Sequence, residues 1–330
     1  MPNNGTGFRP SLNPNLPPKL DTQSLVVKKQ PNGRWLDDNN GDWTNIVSGG
    51  QGNRIAGWDL RDRDIAILNA NTLSLRYQST LGNILMAMDV NPASGRLTVV
   101  GTDALNHIRF EPNLNGTFLR VNVSEFNPAN ANATVQIRDL NSHLDYNSGT
   151  VSDSLRQRSI GDPRGIAWRA NGSRAYVTGM GSNNVVVLGA NNTRALSTHI
   201  KVGEGPTGIV LDEAREYGFV LNKFDASISV LDLASSSEKS RQSFFDPTPQ
   251  VIKIGRKHLY DTHIGSGNGT ISCASCHVDG KWDRLAWDLG NPAGEMRTVN
   301  GTEFHPLKGL KVTQSLIDTV NPGMPLHWRG

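Results

Sequence analysis

A 43-residue repeat of short alternating segments, a turn-rich composition and a change of pattern near residue 247 together predict a two-domain fold. The expectation is an all-β propeller with an incomplete set of blades over residues 1–246, followed by a mainly α domain over 247–330 that is truncated at its C-terminal end. A chain of 330 residues exceeds one ordinary core, so two domains or one large all-β domain with an appendage are the natural choices. With 34 Gly and 17 Pro, turns must be frequent and strands short. The 33 basic and 30 acidic residues nearly cancel, and no Lys/Arg run or RNA-type aromatic motif stands out, which sets nucleic acid aside as a partner. No apolar run approaches the ~20 residues a membrane helix needs, so no membrane span is expected.

The repeat is clearest over 162–233. Pro163 and Pro206, Val177 and Val220, and Val187 and Val230 are each 43 residues apart. A period of that size with several strands per unit is what a propeller blade produces, because a four-stranded blade buries its faces only against its neighbours. One unit reads as strands near Gly165–Arg169, Ala175–Gly179, Asn184–Leu188 and Thr198–Val202, with Asn171-Gly172 and Ser182-Asn183 in the reversals. A looser copy runs from Met88 through Gly101 at an offset of 78 and ends in a strand near His107–Phe110. That offset is no multiple of 43, so an insertion or a degenerate blade is expected around Glu125–Asn132 and Ser142–Ser159. Arg54–Asp59 and Ile65–Leu68 read as further strands, giving four to five blades.

The segments Ala175-Tyr176-Val177-Thr178-Gly179 and Asn184–Leu188, with their counterparts Gly218–Asn222 and Ser227–Asp232, resemble YVTN-type propeller repeats. The resemblance implies a scaffold suited to binding or docking, and it fixes architecture rather than chemistry. No convergent His, Asp and Glu set stands out in the blades, and His107, His143 and His199 are read as structural.

After Leu233 the pattern changes. Ala234–Glu238 is linker-like, and Thr248-Pro249 reads as N-cap and first-turn Pro of a helix whose Val251, Ile252, Ile254 and Leu259 share one face. Gly265–Gly269 is a Gly-rich turn that leads into the decisive motif, Cys273-Ala274-Ser275-Cys276-His277, which holds both cysteines of the chain. Two thiols three residues apart sit on one helical turn, in reach of the two vinyl groups of a single porphyrin, and the adjacent His277 then offers its imidazole to the iron. The motif therefore points to covalently attached haem c at Cys273 and Cys276, with His277 as iron ligand. Zinc would want four ligands and finds three here; a redox pair would want a βαβ setting; a Cys273–Cys276 disulfide stays open if no haem is inserted.

The flanks Gly255–Asp261, Gly269–Ser272 and Val278-Asp279-Gly280, with Thr313–Leu316 and His327–Gly330 further on, resemble the first haem domain of bacterial di-haem cytochrome c peroxidases and MauG-like proteins. In that family a Trp lies between the two haems, which implies Trp328 as a candidate electron-transfer residue. A second Cys-X-X-Cys-His is not present in these 330 residues, which places a second haem downstream or nowhere. The sixth iron ligand decides between electron transfer and peroxide chemistry. Candidates are His305, Met296, Met324 and His327, with His305 first because the family often places a distal His between the haem motif and the Trp. Trp282 and Trp287 are expected to pack the haem-domain core, and His258 and His263 to lie at its surface or haem edge.

The expected function is electron transfer by an extracytoplasmic, periplasmic c-type cytochrome, with hydrogen peroxide reduction in the complete protein and a small redox protein as electron donor or acceptor. The alternative is a propeller-based binding protein with an electron-passing haem. A propeller dehydrogenase feeding the haem would need a catalytic cluster that the sequence does not display. Met1–Gly5 has neither the charged start nor the apolar stretch of an export signal, and the chain stops in a mixed aromatic and charged string, so the sequence reads as a fragment.

Overall fold

The computed structural model describes residues 14–15, 27–37, 42–47, 60–105, 118–146, 148, 150–288, 294–304, 306 and 310–317. The first elements are a hairpin of β1 (Val27–Lys29) and β2 (Trp35–Asp37), a single helical turn α1 (Thr44–Val47), and a pair formed by β3 (Ile65–Leu68) and β4 (Leu75–Gln78). Three four-stranded antiparallel meanders follow. The first holds β5 (Ile84–Val90), β6 (Leu97–Ala104), β7 (Leu119–Phe126) and β8 (Gln136–Asp139). After the short helix α2 (Asp153–Arg156), the second holds β9 (Pro163–Trp168), β10 (Arg174–Gly179), β11 (Asn184–Gly189) and β12 (Arg194–Lys201). The third holds β13 (Pro206–Asp212), β14 (Tyr217–Asn222), β15 (Ser227–Asp232) and β16 (Ser237–Ser243). The opening strands β5, β9 and β13 lie side by side, the arrangement of propeller blades about an axis.

Alternation explains why these strands stack as blades. In the second blade Ala175, Val177, Val186 and Leu188 join the core shared with the first blade, while the intervening Tyr176, Val185 and Val187 join the core shared with the third. Both faces are buried, so β10 and β11 read as nearly continuous apolar runs even though each keeps a two-residue period. Trp168 ties the first two blades, its backbone N–H donating to Asp89 (2.8 Å) and its indole to Thr98 (3.2 Å). Gly172 is required twice: its φ is +65°, and a Cβ there would overlap Asn91 and Ala93 of the first blade. The far face of the third blade leaves Val210, Leu221 and Ile228 exposed, so the described blades form an open arc.

Among the described residues, three four-stranded blades and two two-stranded pairs, β1–β2 and β3–β4, stand where the sequence suggested four to five blades. Glu125 lies inside β7, and the extra length of the first blade falls in the β6–β7 connection and in the 140–162 crossing to β9. The strands expected at Arg54–Asp59 and His107–Phe110 lie outside the described residues.

The C-terminal segment opens with α3 (Gln250–Tyr260), α4 (Thr262–Gly265) and α5 (Cys273–Cys276). Helix α3 starts one residue later than the sequence suggests. Pro249 takes the N-cap position, and the Thr248 hydroxyl instead accepts from Arg256 (3.1 Å). Its apolar residues Val251, Ile252 and Ile254 face solvent, because the helix is held by Arg256, which donates to the Phe224 carbonyl (3.0 Å), and by Tyr260, whose ring lies tilted against Phe224. The α character ends by Gly280. Beyond it β17 (Ala286–Asp288) pairs with β20 (Leu310–Val312), and β18 (Arg297–Val299) pairs with β19 (Thr302–Phe304), so the described part is mixed rather than mainly α. No helix among the described residues is long and apolar enough to cross a membrane.

Candidate functional site

The cysteine motif sits on a platform fixed to the second blade. Asp261 caps α4 by accepting the Ile264 N–H (2.9 Å), and its other oxygen accepts from Asn183 in the β10–β11 turn (3.2 Å). The Thr262 N–H donates to the Gly181 carbonyl (2.8 Å), and Gly161 and Gly181 pass so close that a Cβ on either would overlap the Thr262 side chain. The Gly-rich turn is pinned by Ser159, whose hydroxyl donates to the Asn268 carbonyl (2.7 Å), and by Val151, whose N–H donates to the Gly267 carbonyl (3.1 Å). Ile271, Cys276, Leu285 and the buried Trp287 pack against the core of the first two blades, so the motif shares its interior with the propeller.

Within α5 the Ser272 N–H donates to the Ser275 hydroxyl (3.0 Å), and the His277 N–H closes the turn on the Cys273 carbonyl (2.9 Å). Both thiols are free, Cys273 exposed and Cys276 half-buried. Burial, followed by the nearby carboxylate of Asp283, pushes the Cys276 thiol up to about 12. Such a thiol stays protonated near neutral pH, which is the reverse of the activated thiolate a redox pair requires. The zinc alternative also lacks a donor set, since among the described residues no three of His, Cys, Asp and Glu converge on one point.

Among the described residues His277 is held from one side only. Its Nδ1 is 2.8 Å from the Gln314 carbonyl, which can only accept, so Nδ1 carries a proton, and in the neutral imidazole the lone pair is then on Nε2. Gln314 belongs to a strap whose Leu316 N–H donates to the Gly280 carbonyl (2.9 Å) and whose Thr313 N–H donates to the Leu285 carbonyl (3.3 Å). An imidazole oriented by a carbonyl at Nδ1, with Nε2 free, is the form that ligates a metal. Behind the motif, buried Asp283 accepts the indole N–H of Trp287 (2.9 Å) and the Leu285 N–H (2.9 Å). Trp287 also meets Phe118 edge-on at 5.8 Å.

A second anchor comes from the innermost strand of the second blade. Arg164 grips the buried Asp162 with a fork (2.9 and 3.3 Å) and reaches Asp279, two residues past His277, at 3.1–3.2 Å. The supports Arg164, Asp283 and the Gln314 carbonyl carry no sequence mark of that role, although Arg164 lies in the repeat over 162–233 and Gln314 in Thr313–Leu316.

The structure thus brings Cys273, Cys276 and His277 onto one turn. Met296 is half-buried just ahead of β18. His305, Met324, His327 and Trp328 lie outside the described residues. Of the two tryptophans expected in a core, Trp287 is buried and Trp282 is 42% exposed. His258 is exposed, and His263 is half-buried against the Ser159 carbonyl (3.1 Å).

No protein-family model and no curated protein matches the sequence. Solved structures similar to part of the chain include the Kuenenia stuttgartiensis hydrazine synthase, at 17% identity over 48% of each chain with a TM-score of 0.38. A chain of the nidogen/laminin complex matches at 13% identity over 56% of each chain (TM-score 0.37), and the RRP9 WD40 repeats at 9% identity over 49% of this chain and 39% of that one (TM-score 0.33). This chain spans about half the length of the first two and less of the third. The likeness concerns the fold alone, and the fold assignment rests on the sheets themselves: the chain contains a run of β-propeller blades.

Proposed function

We propose that this chain is an extracytoplasmic c-type cytochrome in which a propeller scaffold carries one haem c on Cys273 and Cys276 with His277 as iron ligand. The observation that carries the reading is the His277 geometry: Nδ1 fixed on the Gln314 carbonyl at 2.8 Å, no partner on Nε2 among the described residues, and two free thiols on the same helical turn. When bound, the haem would supply a one-electron iron centre. The chain's own residues would do the rest. Cys273 and Cys276 would hold the macrocycle by thioether bonds, Gln314 would orient the imidazole and raise its basicity, and Asp283 with Trp287 would keep the Cys276 side against the blade core. The function is then electron transfer with a small redox protein. Peroxide reduction is the finer reading, supported by the resemblance of Gly255–Gly280 to the di-haem peroxidases, and it belongs to a form with a second haem and Trp328 between the two.

The test is a pyridine haemochrome spectrum of the protein exported in a bacterium with cytochrome c maturation, beside a Cys273→Ala, Cys276→Ala variant. A c-type spectrum that disappears in the variant is expected. A colourless parent holding zinc or a Cys273–Cys276 disulfide would end the cytochrome reading. With haem in place, steady oxidation of a reduced donor by hydrogen peroxide separates the peroxidase from a simple electron carrier, whose haem would ignore peroxide.

A further inference from the structure

We propose that the free face of the third blade is covered by the β3–β4 pair of a second copy of this chain, so that two arcs close one ring. The registers Val210↔Phe219↔Val230 and Leu221↔Ile228 gather five apolar side chains on that face. Phe219, Leu221, Ile228 and Val230 stand 43 residues after Tyr176, Thr178, Val185 and Val187. In the second blade those earlier residues make the contact with the third. Tyr176, Val185 and Val187 are buried in the core between the two blades, and the Thr178 hydroxyl donates to the Thr207 carbonyl (2.8 Å). The same positions recur in the third blade as apolar side chains, yet Val210, Leu221 and Ile228 are exposed. The face therefore continues an interface already present in the molecule, and what fits it is another blade surface.

The chain carries such a surface at the other end of the arc. Ile65 and Ile67 of β3 pack on Leu97, Val99 and Phe126, which puts the β3–β4 pair in the place before the first blade. The pairs Ala66↔Tyr77 and Leu68↔Leu75 lie on its opposite face, where Leu68, Leu75 and Tyr77 are exposed. In a continued ring this face meets the far face of a blade, as each described blade meets the next. Two arcs, each of three blades and one pair, give about six to eight blade positions, within the ~4–8 of closed propellers. End-to-start packing keeps all blades in one sense around a two-fold axis and leaves no free end, so association stops at two copies.

The test is sedimentation of the intact protein over a range of concentrations. The parent should form a species of twice the chain mass. Val210→Asp on one end and Leu75→Asp on the other should each raise the dissociation constant about 100-fold or more, because each charge enters both contacts of the ring. Both side chains are more than half exposed in the single chain, so the blades should keep the parent's urea midpoint; Ile228→Asp provides a second variant of the third-blade face. An equimolar mixture of Val210→Asp and Leu75→Asp should regain a two-copy species through the one contact that has both parent faces. A parent that stays a single chain would overturn the proposal, the face then being covered by this chain's own residues or by another protein. Open chains of many copies, or a two-copy species that survives Val210→Asp and Ile228→Asp, would also overturn it. So would loss with the third-blade variants but not with Leu75→Asp, which is the mark of two third blades packed on each other. None of these residues belongs to the cysteine platform, so the result is independent of whether haem is attached.

Discussion

Replacing Arg164 with Met tests how the blade holds the cysteine platform. In the folded chain both carboxylate oxygens of Asp162 are engaged by Arg164, and the Asp162 side chain is only 2% exposed. Removing the guanidinium leaves a buried carboxylate without its charge partner, a change that typically costs about 3–5 kcal/mol. With a urea slope of about 3 kcal/mol/M, this is a fall of about 1–1.7 M in the unfolding midpoint. The deficit should depend on pH with a definite sign. Burial already pushes the Asp162 carboxyl up while Arg164 opposes that effect, so in the variant the folded-state value climbs further above the unfolded one. An acid with a raised folded value is destabilising above its unfolded value, and the penalty fades as falling pH protonates it. The loss should therefore be larger at pH 8 than at pH 5. The outer arm supplies the control: Asp279 is 58% exposed, and Asp279→Asn should cost under about 1 kcal/mol. Equilibrium unfolding in urea at both pH values measures all of this. A deficit below 1 kcal/mol, or one that is the same at both pH values, would refute the claim that Asp162 is an ion held by Arg164.

Trp287→Ala removes a buried side chain that packs on the blade core and donates to Asp283, and should cost about 3–5 kcal/mol in a single calorimetric transition of the whole chain. Two separate transitions, with only one displaced, would show that the blades and the cysteine platform do not share a core. Gly172→Ala forces a side chain into a positive φ and against Asn91, and should lower stability by about 1–3 kcal/mol in the same calorimetric experiment. In protein made without haem, the exposed Cys273 should react with iodoacetamide at pH 8 while Cys276 reacts at least about 10-fold more slowly, because burial shields its thiol and holds it protonated. Equal labelling of both, followed by peptide mass spectrometry, would contradict the buried environment assigned to Cys276.

The second and third blades were legible because their inner strands alternate side chains toward a core the two blades share and the turns repeat every 43 residues, so packing wrote itself into the spacing. The first blade was harder to place. Its β6–β7 connection spans 105–118, and the crossing to β9 carries α2, and these lengths break the period without breaking the sheet. The cysteine motif was legible because its chemistry needs a fixed local order. Its supports were not: Arg164 and Asp279 are 115 residues apart, and the acceptor for His277 is a backbone carbonyl, which any residue at position 314 would provide. One local signal was available. Asn300-Gly301 is a hairpin pair, and both residues take positive φ (50° and 80°) between β18 and β19, yet an expectation of helix over 247–330 hides it. Helix α3 shows the opposite failure. Its apolar spacing is genuine, but charged and aromatic side chains from the other face make the contacts with the blade turns.

The central claim is covalent haem at Cys273 and Cys276, and peptide mass spectrometry of the protein exported from a cell with cytochrome c maturation tests it most directly. The account predicts that the peptide containing Cys273–His277 carries the mass of one haem on its two sulfurs and that neither cysteine can be alkylated. An unmodified peptide whose two thiols both react, or one closed by a Cys273–Cys276 disulfide, would contradict it.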